Sequence, residues 1–337
     1  MGTVVYILGL EGTAHTFSAG VVDDKGQVLA NVGDMYRPPQ GGIHPREAAE
    51  HNAEVATRII RKALSESNLS FKDISAIAFS QGPGLGPCLR VVATVARTMS
   101  LTLKIPLIGV NHCVAHVEIG KLVSKFKDPL TLYVSGGSTQ IVALGGSRYR
   151  VFGETLDIPI GNLLDAFARE LGYGHPGGPI IEKLARQGKS FIELPYIVKG
   201  TDLSFSGLLT AAKRLIGKYS PEDLAFSLQE VAFSMLTEVT ERALVHTGKS
   251  ELLLTGGVAA NKRLQAMLKE IAAEHDCKYY VVPLHLAGDN GAMIAWTGYL
   301  YYKHNKFLRI EDSYVKPKWR IDDVEIPWVV GNSNADS

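Results

Sequence analysis

The residues of this chain best suited to chemistry fall in a few short segments, beginning with Val110-Asn111-His112-Cys113-Val114-Ala115-His116. On a helix, imidazoles four residues apart share one face and can reach one metal ion. With 10 histidines in 337 residues, roughly 0.3 such pairs arise by chance, so a buried structural pair fits the spacing as well. Two nitrogens leave a transition metal under-coordinated. Further ligands would come from distant segments, and Asp289 and Tyr133 each offer an oxygen. Asp289-Asn290-Gly291-Ala292 opens a predicted helix, however, and there the default role of a carboxylate is to cap it.

A second set of segments suits a nucleotide. Tyr133-Val134-Ser135-Gly136-Gly137-Ser138-Thr139-Gln140 reads as strand, glycine turn and return strand. Small residues there let backbone amides approach a phosphate or carboxylate, although an ordinary β-hairpin has the same pattern. Leu253-Leu254-Thr255-Gly256-Gly257-Val258-Ala259-Ala260-Asn261 runs from buried strand through paired glycines to a helix, so an adenine ring could lie on bare backbone. Gly174 to Pro179, with Glu182 just beyond, opens another helix with a carboxylate placed to accept from ribose hydroxyls; a plain loop with a surface glutamate is the alternative. Gly82-Pro83-Gly84-Leu85-Gly86-Pro87 is different. No Gly-Lys-Ser/Thr follows it and its prolines remove amide donors, so it reads as a turn or hinge.

The elements that would position these segments repeat. Strands at 4–10, 17–22 and 27–32 form a meander, and the same grammar returns at 132–134, 140–144 and 149–152, which reads as a structural duplication. Helices are expected from Pro45 to about Ser65, through Leu101, at 165–171, 180–185, 221–245 and 261–275, and finally at 290–303. Buried strands are expected at 74–79 and 252–254, with a last one ending at 281–282. Strands alternating with helices after each meander predict α/β lobes with mixed sheets.

Length and composition fit two domains sharing a cleft, expected at residues 1–129 and 130–327. The helix near 290–303 is expected to pack back on the first, and 328–337 to be a frayed tail. Cys88, Cys113 and Cys277 form neither a disulfide framework nor a C-x-x-C pair, so a reducing cytoplasm is expected. No targeting segment is evident, and Arg97 cuts the longest apolar run, 91–103, far below the ~18 residues of a membrane span, so no membrane is expected. A net charge of +1 requires any nucleic-acid surface to be local. Its best location is 301–320, where Lys303, Lys306, Arg309, Lys316, Lys318 and Arg320 interleave with Tyr302, Phe307, Tyr314 and Trp319.

Together the motifs at 9–15, 41–51, 80–90, 109–118, 133–140, 152–169, 202–208, 256–263 and 289–294 closely resemble one family, over about residues 4 to 328. This is the archaeal and eukaryotic-type catalytic subunit of the KEOPS complex, a tRNA threonylcarbamoyladenosine transferase. The resemblance implies a two-lobed actin/Hsp70/sugar-kinase-like (ASKHA) fold, with duplicated RNase H-like lobes and a nucleotide between them. It implies a divalent metal, iron in preference to zinc, on His112, His116, Asp289 and, directly or through the ligand, Tyr133. It further implies that Ser135, Gly136 and Gly137 approach the phosphate or acyl end, that Asp165 and Glu182 with Gly178 meet the ribose, and that Asn261 lies beside the adenosine. The implied reaction moves threonylcarbamoyl from its adenylate to an adenosine amine of tRNA, with small kinase-like and further small subunits as partners. Ser138 and Ala287 depart from residues frequent in the family.

Three rivals follow from the same residues. A zinc peptidase needs glutamate after the first histidine, where Cys113 stands, and Glu118 lies on another helical face. A small-molecule kinase usually offers aspartate in the first meander, which here holds Glu11-Gly12-Thr13. A non-catalytic nucleotide-gated scaffold would tolerate loss of both histidines.

Overall fold

The structure, a computed structural model, describes residues 4–38 and 42–330. The first meander is β1 (Tyr6–Glu11), β2 (Thr16–Asp23) and β3 (Val28–Met35), followed by α1 (Pro45–Glu66), β4 (Ala76–Gly82), α2 (Gly86–Leu103), β5 (Leu107–Asn111) and α3 (His112–Ser124). The second meander is β6 (Leu130–Val134), β7 (Thr139–Gly145) and β8 (Arg148–Glu154). After it come α4 (Ile160–Glu170), α5 (Gly177–Ala185), the two-residue strands β9 (Val198–Lys199) and β10 (Asp202–Leu203), α6 (Ser206–Arg214) and α7 (Pro221–Thr247). The chain continues through β11 (Glu251–Thr255), α8 (Lys262–Glu274), β12 (Lys278–Val281), α9 (Leu284–Ala287), α10 (Gly291–Lys303) and α11 (Pro327–Val330).

Two five-stranded sheets have orders β3-β2-β1-β4-β5 and β12-β11-β6-β7-β8. Read outward from the meander edge the two orders are the same, and in both the meander pairs antiparallel while the added strands run parallel. The repeated sequence grammar is therefore a repeated topology.

Strand parity decides what each sheet shows to the rest of the molecule. On β1, Leu8 and Leu10 enter the core beneath α1 and α2, whereas Ile7 points to the opposite core beside α10 and α3. Glu11 shares the parity of Ile7. On β6, Leu130, Leu132 and Val134 face the helices of the second half, and Tyr133 faces the other way, toward Val114 and Val117 of α3. Helix α3 thus runs between the two sheets, and every residue from His112 to Gly120 is buried. A helix apolar on all sides has this placement. Asn111 starts it cleanly, its side chain accepting from the Cys113 and Val114 amides at 2.9 and 3.2 Å.

Helix α10 lies on β1, β2 and β4. A Cβ on Gly9 would come 2.2 Å from the Ala295 nitrogen, and one on Gly20 2.3 Å from that of Ala292. Only glycine allows backbones to approach this closely.

Residues 328–330, placed in the tail by the sequence, instead belong to α11. The Trp328 indole donates to Glu118 at 3.1 Å, an apolar and hydrogen-bonded anchorage that gives this segment a fixed place. The rest of that expected tail, 331–337, and Gly41 of one motif lie outside the described residues. No helix among the described residues is long and apolar enough to cross a membrane.

Candidate functional site

The carboxyl ends of β1 and β5, the start of α3 and the turn before α10 meet at one point. His116 Nε2 lies 3.2 Å from His112 Nε2 and 3.3 Å from Asp289 Oδ1, and His112 Nε2 lies 3.4 Å from the same oxygen. At most one proton can bridge the two nitrogens, so the remaining lone pairs converge. Donors ~2.0–2.1 Å from a tetrahedral ion stand ~3.3 Å from one another, so this donor set fits a metal ion without rearrangement. Asp289 does not cap the following helix, contrary to the default expectation. Asn290 does, accepting from the Met293 amide at 3.0 Å, which leaves the Asp289 carboxylate to the imidazoles.

Glu11 completes the arrangement; the sequence places it in the first meander, where a small-molecule kinase would offer aspartate, and assigns it no role beside the histidines. Fully buried, it meets His112 Nδ1 at 3.0 Å and accepts from the Thr13 amide at 2.7 Å and the Thr13 hydroxyl at 2.5 Å. A carboxylate on the outer nitrogen fixes the ring and presents Nε2 to a metal. Its signal was a glutamate ending a strand whose other residues are apolar.

The charges respond to this crowding. Burial opposes protonation of His112, but Glu11 and Asp289 outweigh it and raise the group to about 9. Burial lowers His116 against the pull of Asp289. For Asp289 burial opposes ionisation, yet His112 and His116 hold the carboxyl well below the usual carboxylate range. The Tyr133 ring stacks on His116 with centroids 4.6 Å apart, and burial, with Cys113 and Asp289, pushes its phenol well above the ordinary value. Burial also raises Cys113, to about 12, so the thiol beside His112 is inert.

The second sheet contributes open backbone. Strand β6 ends beside β11, with Tyr133 opposite Thr255. Cβ atoms built on Gly136, Gly137 or Gly257 would meet nothing within 4 Å, and one on Gly178 only Leu164 at 3.8 Å. Gly256 is different: at φ +98° its Cβ would stand 2.1 Å from the Val134 carbonyl oxygen, so it joins two strand ends. The Ser135 hydroxyl shapes the turn by accepting from the Gly137 and Ser138 amides at 3.3 and 3.0 Å, and it lies 3.3 Å from the Tyr133 hydroxyl.

Other expected contact residues are engaged within the protein. Asn261 accepts from the Arg263 and Leu264 amides and donates to Gln229 at 2.9 Å, so it caps α8. Asp165 accepts from the Gly177 amide at 2.6 Å and stands 3.3 Å from His175 Nδ1. Glu182 accepts from the Lys262 amide at 3.0 Å and from Arg186 at 2.6 Å. Glu118, the acid beyond the second histidine that a peptidase reading would recruit, turns away to Tyr149, Lys121 and Trp328.

In the basic stretch, Arg309 and Arg320 are held in ion pairs with Asp312, Asp322 and Glu154. Lys303, Lys306 and Lys318 are exposed, and Lys316 lies 4.2 Å above the Trp319 ring. Arg97 anchors the stretch through Ser313, and Gln81 through the Tyr314 carbonyl.

Two mixed sheets of one topology, closed on a shared helix with an open glycine-lined cleft, define a two-lobed ASKHA-type protein. HypF from T. kodakarensis has this fold: its solved structure matches with a TM-score of 0.64 at 17% identity, covering 90% of this chain and 48% of that one. Residues 27–296 match the profile of the tRNA N6-adenosine threonylcarbamoyltransferase family, and the chain belongs to that family of transferases. A relative of that name from Thermococcus kodakarensis is 59% identical over 323 residues, 95% of this chain and 99% of the relative. A probable bifunctional tRNA threonylcarbamoyladenosine biosynthesis protein from Methanocaldococcus jannaschii is 56% identical, over 96% of this chain and 60% of that protein.

Proposed function

We propose that the chain transfers threonylcarbamoyl from threonylcarbamoyl-AMP to the exocyclic amine of the adenosine 3′ to the anticodon, in tRNAs reading codons that begin with A, releasing AMP. The observation that carries the reading is the convergence of His112, His116 and Asp289 within 3.2–3.4 Å beside a cleft floored by bare glycine backbone. The three would hold one divalent cation, with the Tyr133 hydroxyl as the further oxygen and iron preferred over zinc on family resemblance. When bound, the cation supplies Lewis acidity toward acyl or phosphate oxygens.

The chain's own residues do the rest by position. Glu11 orients His112. The Gly136 and Gly137 backbone gives the phosphate or acyl end room to approach amides, and Gly257 leaves space for the adenine. Asp165 and Glu182, beside Gly178, retain lone pairs for the ribose. Cys113 is held as a buried thiol and offers no thiolate to the acyl group, and the reading takes orientation and charge stabilisation as the means of catalysis. The free thiols support a cytoplasmic setting. A small kinase-like subunit and further small subunits of a KEOPS-type complex are the expected partners.

The test is His112→Ala and Asp289→Asn in an assay of tRNA modification, with metal content and thermal melting measured alongside. Both variants are expected to fold, lose bound metal and lose at least a hundredfold in activity. Full activity of both without metal sinks the assignment.

A further inference from the structure

One pair of side chains crosses the cleft and has no part in the metal cluster. His15 sits between β1 and β2 of the first sheet, and His175 precedes α5 of the second half. Their rings meet edge to face, with centroids 5.3 Å apart and planes at 83°. On His175, Nδ1 is held by Asp165 Oδ2 at 3.3 Å, and Asp165 is itself fixed by the Gly177 amide. Among the described residues, no hydrogen bond engages a ring nitrogen of His15 or the Nε2 of His175. The pair therefore has unused polar atoms at the cleft.

Its place along the cleft indicates what it meets. Burial lowers the pKa of His15, and both Asp289 and Asp165 oppose this, so the ring lies within electrostatic reach of the His112–His116–Asp289 group as well as of Asp165, which is held by the Gly177 amide. If the acyl end of an adenylate lies at the cluster and its ribose at that turn, the phosphate joining them must pass between. Two imidazoles, one from each lobe, can donate to it there: His15 through its ring N–H, and His175, whose Nδ1–H goes to Asp165, through Nε2–H in its imidazolium form.

We propose that His15 and His175 are phosphate-binding residues of the nucleotide cleft, closing on the adenylate phosphate from opposite lobes, with Asp165 as the positioning residue for His175. This rests on the nucleotide reading above and adds to it a specific site for the phosphate.

Titration calorimetry of the full chain with AMP and with adenosine tests it, using His15→Gln and His175→Gln, which lie in different lobes and remove the contact independently. The wild type is expected to prefer AMP. Each variant should lose about 10- to 100-fold in AMP affinity, the worth of a hydrogen bond to a charged group, with adenosine affinity unchanged. Unchanged AMP affinity in both variants, or equal weakening for both ligands, overturns the phosphate role. Wild-type binding of neither ligand overturns the nucleotide reading itself, and the clamp with it.

Discussion

The two sheets share one strand order but meet α3 with opposite resources. The first ends its leading strand in a buried carboxylate, Glu11, which grips His112. The second carries Tyr133, stacked on His116, one residue before the end of its leading strand, and then runs into glycines whose missing side chains leave open space. One copy of the topology supplies charge held by close packing; the other supplies room. Substitutions should therefore fail differently in the two halves, through stability and metal in the first and through ligand binding in the second.

Glycine substitution breaks this comparison most directly. Gly20→Val places a side chain where its Cβ would stand 2.3 Å from the Ala292 nitrogen, in a backbone that cannot give way without moving α10 and Asp289 with it. A loss of about 3 kcal/mol or more is expected, at the upper end of overpacking costs. Gly137→Val meets nothing within 4 Å of its Cβ, so its stability should stay within about 0.5 kcal/mol of wild type. Its nucleotide affinity should fall. Denaturant melts paired with AMP titration read both, and equal destabilisation of the two variants would erase the distinction between the sheets.

Glu11→Gln sharpens the comparison on the first side. The amide keeps the size of the side chain and removes the charge that fixes His112, and loss of such an outer partner typically costs 10- to 100-fold in metal affinity. Competition with a chelator measures it. Unaltered metal affinity would reduce Glu11 to a packing role, and the fold should survive in either case because Thr13 still bonds the amide oxygen.

Much of this was legible before the structure, and the gaps have physical causes. The meanders, the glycine turns and the spacing of His112 and His116 are local patterns, so they could be read directly. The role of Asp289 could not, because Asp289 and Asn290 are both good caps and only the backbone decides that Asn290 takes that place. Glu11 needed strand parity combined with the position of α3, a contact across 101 residues. Strands β9 and β10 are two residues each and leave no periodicity to detect. Trp328 read as tail because its anchor, Glu118, is 210 residues away. Asp165 entered through family resemblance alone, since a carboxylate inside a predicted helix has no local signature.

The smallest expected effect concerns the outer surface, where neither sheet's resource applies. With Arg309 and Arg320 committed to acids, Lys316 and Lys318 are the basic groups left beside Trp319 and Tyr314. The stretch is tied to the first lobe by Arg97 and Gln81, so its charge is presented by a fixed backbone. Lys316→Glu with Lys318→Glu should weaken tRNA binding and reduce the slope of log affinity against log salt by about 1 per lysine. Metal content and AMP affinity should not change. Filter binding across a salt series is sufficient, and an unchanged slope would move the RNA surface off this stretch to another face.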